Sequence, residues 1–410
     1  MKILFSPCHY VYDEISGGEI AWAFNIADRI SNLYPSSVVV TGSENLLQEK
    51  KYKIIEIQPN KKNIDLSVKN AAVFSFKYFF ATKKILSKNK FEIMHHVLPF
   101  SINSTFNLNF IFNKNKNLVI GPIQSPLTYK DLDINLSDIR NNTKQKNFTG
   151  IFFGFMFFLV HPILKYLSKL TLEKAGAVVV INQYTKNILI RNGIKEQLIS
   201  IIPPGIDIEK FAHTPFESKN KEKIELLVVC YLIKRKGVDL IIKSLKKVIK
   251  ENKNIILRIV GDGPQKESLE KLVRKLNLED FVVFEGFIKN SEIQNYYTKA
   301  HIFVNMSRSE GFATVCLEAM ASGLAIVSSK VGGFSDAIEN GRNGFLVEQE
   351  DYLDLSKKIN ILLNNHHLIS TFGENARARA KKHYDWRKVI IPKYLKVYQK
   401  LMNKSCHDEK

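Results

Sequence analysis

Residues 309–324 read Ser309-Glu310-Gly311-Phe312-Ala313-Thr314-Val315-Cys316-Leu317-Glu318-Ala319-Met320-Ala321-Ser322-Gly323-Leu324. An apolar run, Ile302-Phe303-Val304, precedes them; a second, Ala325 to Ser328, follows and leads to Val331-Gly332-Gly333. That order predicts a strand, a short loop, a helix starting at about Thr314 and another strand. A helix start there leaves the amides of Ala313, Thr314 and Val315 without intrahelical acceptors and aims the positive end of the helix dipole at the loop. Glu310 stands at the carboxyl edge of the strand, and Glu318 sits about one turn inside the helix. A diphosphate fits such a helix mouth. The two carboxylates, eight positions apart, can accept hydrogen bonds from sugar hydroxyls on either side of it.

Outward from this stretch, short apolar runs alternate with longer amphipathic ones, the pattern of an α/β protein with parallel sheets. Strands are predicted at Lys2–Phe5, Ser37–Val40, Lys53–Glu56, Ile93–Val97, Leu118–Gly121 and Ala177–Ile181, then at Ile224–Cys230, Ile255–Val260, Val282–Glu285, Ile302–Val304, Ala325–Ser328 and Gly344–Val347. Runs such as Val238 to Glu251 and Lys266 to Leu276 supply helices. The 410 residues suit two domains better than one core. The boundary falls in Ile202-Pro203-Pro204-Gly205-Ile206-Asp207, where two prolines and a glycine bar a helix. The expected division is residues 1–203, residues 204–385 and a terminal helical segment, 386–410.

The Glu310/Glu318 pair with its flanks resembles the E-x₇-E motif of the retaining glycosyltransferases of family 4. Further motifs resemble that family. Gly17-Gly18-Glu19, at the start of a helix, matches its Gly-Gly-x-Glu loop. Pro203 to Asp207 matches its Pro-x-Gly-Ile-Asp hinge, Lys236-Gly237 its Lys-Gly pair, and Gly261-Asp262-Gly263-Pro264 its Gly-x-Gly-Pro turn. The resemblance implies the GT-B fold: two Rossmann-like doubly wound domains facing a central cleft, the first binding acceptor and the second a nucleotide-sugar, with the last helix crossing back onto the first domain. It implies that Glu310 holds sugar hydroxyls, that Glu318 holds the ribose, and that Gly311, Phe312, Ala313, Thr314 and Val315 line the diphosphate with their backbone. It places Gly17, Gly18, Gly263 and Phe287 along the donor, with the base near Phe287. Lys236 is implied as a catalytic cation. The family's second cation, an arginine five positions earlier, is replaced by Tyr231; Lys234 and Arg235 are the available substitutes, and a lysine offers a point charge where arginine offers a fork. A histidine approaching the donor sugar is implied at His95-His96. Neighbouring strand residues face opposite ways, and His95 is the candidate.

The formal net charge of +20 favours polyanionic partners: nucleic acid, anionic lipid or phosphorylated substrates. No motif of a nucleic-acid-binding module accompanies it, and a lysine-rich composition throughout is the plainer reading. The cysteines Cys8, Cys230, Cys316 and Cys406 are widely spaced and indicate neither metal site nor disulfide scaffold. Asp131-Leu132-Asp133 follows no strand and reads as a polar loop. The phenylalanine-rich stretch from Phe148 to Leu164, flanked by lysines, reads either as a packing helix or as an interfacial helix on a bilayer. No run reaches the length of a membrane span. The expectation is therefore a cytoplasmic, metal-independent, retaining hexosyltransferase without a cofactor. Its donor is a nucleoside-diphosphate sugar, UDP by default, and its acceptor a glycan or lipid-linked glycan of the cell envelope. Contact with an anionic membrane surface is expected, and nucleic acid is not. The alternative is a GT-B protein that binds nucleotide or glycan without turnover.

Overall fold

The computed structural model describes residues 1–12, 18–45, 50–57, 68–97, 107–112, 117–124, 163, 166–220 and 222–408. Gly17, Asp131, Asp133 and nearly all of the Phe148–Leu164 stretch lie outside them. Among the described residues, one compact unit takes those up to Pro203 together with Ile390 onward, and the other runs from Pro204 to Val389.

The strands of the first unit are β1 (Ile3–Tyr12), β2 (Val38–Asn45), β3 (Lys53–Glu56), β4 (Ile93–His96), β5 (Leu118–Ile123), β6 (Ala177–Val180) and β7 (Ile199–Ile201). They form one parallel sheet in the order β3-β2-β1-β4-β5-β6-β7. Its helices include α1 (Gly18–Leu33), α2 (Val68–Lys88), α3 (Leu108–Phe112) and α4 (Gln183–Arg191). Leu4, Val40, Met94, Leu118, Ile120, Val178 and Leu189 make its core. The strand β7 is absent from the sequence prediction: three residues with one exposed end at a sheet edge leave no periodicity to read.

The second unit carries β8 (Ile224–Val229), β9 (Ile255–Val260), β10 (Val282–Gly286), β11 (Ile302–Asn305), β12 (Ala325–Ser329) and β13 (Gly344–Val347), parallel in the order β10-β9-β8-β11-β12-β13. Strands covered on both faces read as nearly unbroken apolar runs, and here Leu226, Val228, Leu257, Ile259, Val304 and Val327 are buried with residues of the flanking helices. Those helices are α5 (Val238–Val248), α6 (Lys266–Lys275), α7 (Gln294–Lys299), α8 (Thr314–Ala321), α9 (Gly332–Ala337), α10 (Tyr352–Leu363) and α11 (His366–His383); α12 (Ile391–Asp408) belongs to the first unit. α5 shows why these segments are helical: Val238, Ile241, Ile242, Leu245 and Val248 are buried on one stripe, while Lys243 and Lys247 face water.

The strand orders position the site. In each sheet the first strand of the unit lies beside the fourth, and the crossovers run in opposite directions from that pair. Open α/β sheets bind ligands outside the carboxyl ends of the strands at this reversal. In the second unit it lies between β8 and β11.

Candidate active site

The chain leaves β8 through Cys230 to Ile233 and makes a tight 3₁₀ turn, Lys234–Lys236. Gly237 ends the turn with φ at 66°. A Cβ there would lie 1.9 Å from the Met306 carbonyl oxygen, so only glycine lets this turn rest on the loop that follows β11. The contact brings two sequence motifs together. Lys236 Nζ lies 2.5 Å from Glu310 Oε2, Arg235 Nη1 lies 3.4 Å from the same oxygen, and Ser307 Oγ donates to it at 3.4 Å. Arg235 also donates to the Ser309 carbonyl at 2.7 Å.

The Glu310 side chain is only 11% exposed. Burial pushes its carboxyl upward, but Lys236 and then Arg235 more than offset this and hold it below its ordinary value. Glu310 is therefore an anion at neutral pH, carried by two cations in the β8/β11 crevice. The main chain on either side of it is fixed as well. The Gly333 amide donates to the Gly311 carbonyl at 2.9 Å, and Ser329 Oγ donates to the Ser307 carbonyl at 2.7 Å.

Phe312 and Ala313 are buried, Phe312 against the Tyr384 ring. The helix α8 then begins at Thr314 with Ala313 as its cap and no side-chain capping bond, so its opening amides have no acceptor within the helix. Glu318, in the second turn, accepts a 2.7 Å hydrogen bond from the buried Tyr297 hydroxyl. Burial raises its carboxyl above the ordinary value, against the pull of Tyr297 and Lys210.

Around this centre, the turn after β9 holds Gly263, whose amide donates to the Asp262 carboxylate at 2.7 Å. Two aromatic side chains stand out past the ends of β8 and β10, Tyr231 at 62% and Phe287 at 70% exposure. Cys230 lies beside the same centre, but burial pushes its thiol up to about 11; it stays protonated and is no nucleophile. Among the described residues no cluster of three or more His, Cys, Asp or Glu is arranged to hold a metal.

His95 requires a correction. It sits at the end of β4, but its ring is fully buried. Nε2 donates to the Gly121 carbonyl at 3.0 Å, and Nδ1 therefore accepts from Tyr398 of α12 at 2.6 Å. Burial depresses its pKa to about 3. Both nitrogens are used inside the first unit, so His95 has none to offer a sugar. Gly18 opens α1.

Sequence reasoning missed Arg308, Asp239 and Tyr297. Asp239 lies in the first turn of α5, where an acid suits the helix dipole, and that was its available signal. Nothing local marks Tyr297.

A family model, glycosyl transferases group 1, matches residues 209–379. That match falls within the second unit and spans most of it. The chain is 33% identical over 247 residues to an uncharacterised glycosyltransferase of Methanocaldococcus jannaschii, a match covering 58% of this chain and 62% of that relative. The chain thus spans about three fifths of that relative's length. Both units share the GT-B fold with solved structures. Sucrose-phosphate synthase from Thermosynechococcus elongatus superposes with a TM-score of 0.69 at 19% identity, covering 98% of this chain and 99% of that one. Anabaena HepE, solved in complex with UDP-glucose, superposes with a TM-score of 0.62 at 18% identity, covering 99% and 100%. In the unit that matches this family model, Glu310, Lys236, Arg235 and the mouth of α8 gather at the strand reversal. No helix among the described residues is long and apolar enough to cross a membrane.

Proposed function

We propose that this chain is a retaining glycosyltransferase that moves a hexose from a nucleoside-diphosphate sugar, preferentially a UDP-sugar, to a glycan or lipid-linked acceptor of the cell envelope. The observation that carries this reading is the Glu310–Lys236 pair, 2.5 Å apart, beside the open amides of α8 at the β8/β11 reversal. The diphosphate lies on the Thr314 and Val315 amides. Lys236 meets the negative charge that grows as the bond from the anomeric carbon to phosphate breaks, an electrostatic contribution of the kind that dominates many enzymes. Arg235 supplies the second cation in place of the arginine that Tyr231 displaces. Glu310 accepts from hydroxyls of the transferred sugar and Glu318 from the ribose.

The acceptor hydroxyl attacks the anomeric carbon from the face the phosphate leaves, and the departing phosphate oxygen takes its proton; the new bond keeps the configuration of the old one. Side-chain cations balance the diphosphate in this scheme without a metal. The UDP-glucose complex of a GT-B neighbour supports UDP as the first nucleotide to test. The net charge of +20 supports an acceptor at an anionic membrane surface on the cytoplasmic side.

A thermal-shift panel of UDP, GDP and ADP, followed by hydrolysis and transfer assays with matched sugar nucleotides, tests the reading. Glu310→Ala is the control. The specific departure at Tyr231 favours one rival, a protein that binds nucleotide without turnover. Nucleotide binding with no release of sugar from any donor, in wild type and variant alike, would establish that rival instead.

A further inference from the structure

Arg308 stands two residues before Glu310, and its side chain reaches none of the side chains assigned to the donor. Its guanidinium instead joins its own loop to two other segments, the stretch from Lys234 to Asp239 and the loop after β13. Nη1 and Nη2 grip the two oxygens of Asp239, at 2.9 and 3.0 Å, in the first turn of α5. Nε and Nη2 grip Glu350, at 2.5 and 3.2 Å, in the loop after β13. Nη1 also donates to the Lys234 carbonyl at 2.5 Å, and the Arg308 amide donates to the Arg235 carbonyl at 2.7 Å.

Two forked carboxylate pairs on one guanidinium are the strongest and most directional arrangement open to a side chain of this kind. Lysine cannot reproduce it. Glu350 holds a left-handed backbone with φ at 64°, a conformation that non-glycine residues adopt at a cost and keep where surrounding contacts fix them. Asp239 is partly buried; burial pushes its carboxyl up, and Arg308 brings it below its ordinary value. The Arg308 main chain is thus tied to the turn carrying Arg235 and Lys236, while its side chain ties the same loop to α5 and to the β13 loop.

We propose that Arg308 is the positioning residue of this site: it fixes the Glu310 loop against the Lys236 turn, and on the glycosyltransferase reading it thereby sets where the sugar hydroxyls lie relative to the diphosphate cations. The Glu310 carboxylate faces Lys236, Arg235 and Cys230; removing the staple lets the two cations drift from it.

The test uses the full chain as wild type, Arg308→Met, Arg308→Lys and Asp239→Asn, each checked for folding by denaturant unfolding. The Glu310 carboxyl is followed by ¹³C NMR of glutamate-labelled protein, with Glu310→Gln identifying the signal. The Glu310 carboxyl titrates higher in Arg308→Met and in Asp239→Asn than in wild type, and Arg308→Lys does not restore it. With an active donor, kcat falls roughly 10- to 100-fold, as expected for a misplaced reacting geometry, while KM for the donor changes little. An unchanged Glu310 titration in both folded variants, Arg308→Met and Asp239→Asn, overturns the proposal whatever the turnover. A shifted titration in a protein that cleaves no sugar nucleotide even as wild type upholds the positioning role and removes the glycosyltransferase reading alone.

Discussion

Glu310 is the residue on which the site turns, and its environment makes two outcomes calculable. It is a nearly buried carboxylate whose charge is met by Lys236 and Arg235. Lys236→Met leaves that charge with the weaker contact at 3.4 Å. Losing a charge-assisted bond to a buried group costs about 1–3 kcal/mol, and turnover of the sugar donor falls about 10²- to 10³-fold if Lys236 stabilises the leaving phosphate. Denaturant unfolding and steady-state kinetics check the two effects separately. The pH dependence has a defined sign. The Glu310 carboxyl is depressed in the folded state, so its contribution to stability is present above its unfolded value and is lost as pH falls through the folded one. Glu310→Gln flattens that acid limb.

The main chain of Glu310 is held as tightly as its side chain. Gly332 has φ at 44°, and a Cβ there would lie 1.8 Å from the Glu310 carbonyl oxygen. Gly332→Ala therefore has to move the loop or leave its backbone basin. The expected cost is roughly 1–3 kcal/mol, accompanied by loss of the donor-induced thermal shift. A variant with wild-type stability and wild-type donor response would show the loop to be looser than its packing implies.

Among elements, β4 and α12 share one polar contact across 303 positions of chain. Tyr398 donates to His95, and His95 donates to Gly121, so the buried imidazole is neutral and fixed in one tautomer. Tyr398→Phe leaves the His95 acceptor unsatisfied and costs about 1–3 kcal/mol. The imidazole also gives the first unit an acid sensitivity. Below 6.5 the unfolded chain binds a proton at this position, while the folded one resists it until about 3. Stability then declines by about 1.4 kcal/mol per pH unit across that window from this group. Unfolding midpoints at pH 7 and pH 5 are expected to converge in His95→Asn relative to wild type.

This contact also marks where sequence reading stops. The strand ends of β3, β9 and β13 coincide with their predicted limits, because each is a short run with an apolar centre bounded by polar or turn residues. The start of α8 at Thr314 was visible for the same reason, in the switch from strand to helix periodicity after Glu-Gly-Phe. At β4 the sequence located a histidine at a strand's carboxyl edge, but nothing local told which helix would cover it. Lys236 and Glu310 were legible as two motifs 74 positions apart. Their pairing depends on the β8/β11 neighbourhood and on Gly237 lying against Met306, neither of which a linear pattern contains. Arg308 was invisible for a similar reason: each of its partners looks, in sequence, like an ordinary surface acid.

For the molecule as a whole, a small part of the surplus of 60 lysines and arginines over 40 acids lies on one helix of the first unit, where it would suit the proposed membrane acceptor. The 21-residue α2 contains no acidic residue. Its Lys77, Lys83, Lys84 and Lys88 are exposed, and so is Phe80, at 63%. Phe79 links Phe80 to Phe112 of α3, which is 73% exposed, with ring centroids 5.3 and 6.4 Å apart. Large aromatic side chains exposed together and ringed by lysines suit an anionic lipid surface: each lysine near such a surface contributes about 1 kcal/mol, and the rings enter the headgroup boundary. Vesicles containing phosphatidylglycerol are therefore expected to sediment the protein, and vesicles of phosphatidylcholine alone are not. Raised salt weakens the association by screening. Phe80→Ser with Phe112→Ser is expected to lower it several-fold while leaving hydrolysis of a soluble sugar donor unchanged, because neither ring is among the groups assigned to the donor. Equal sedimentation of wild type and double variant would assign the association to charge alone, and no sedimentation at low salt would remove the membrane from the proposed function.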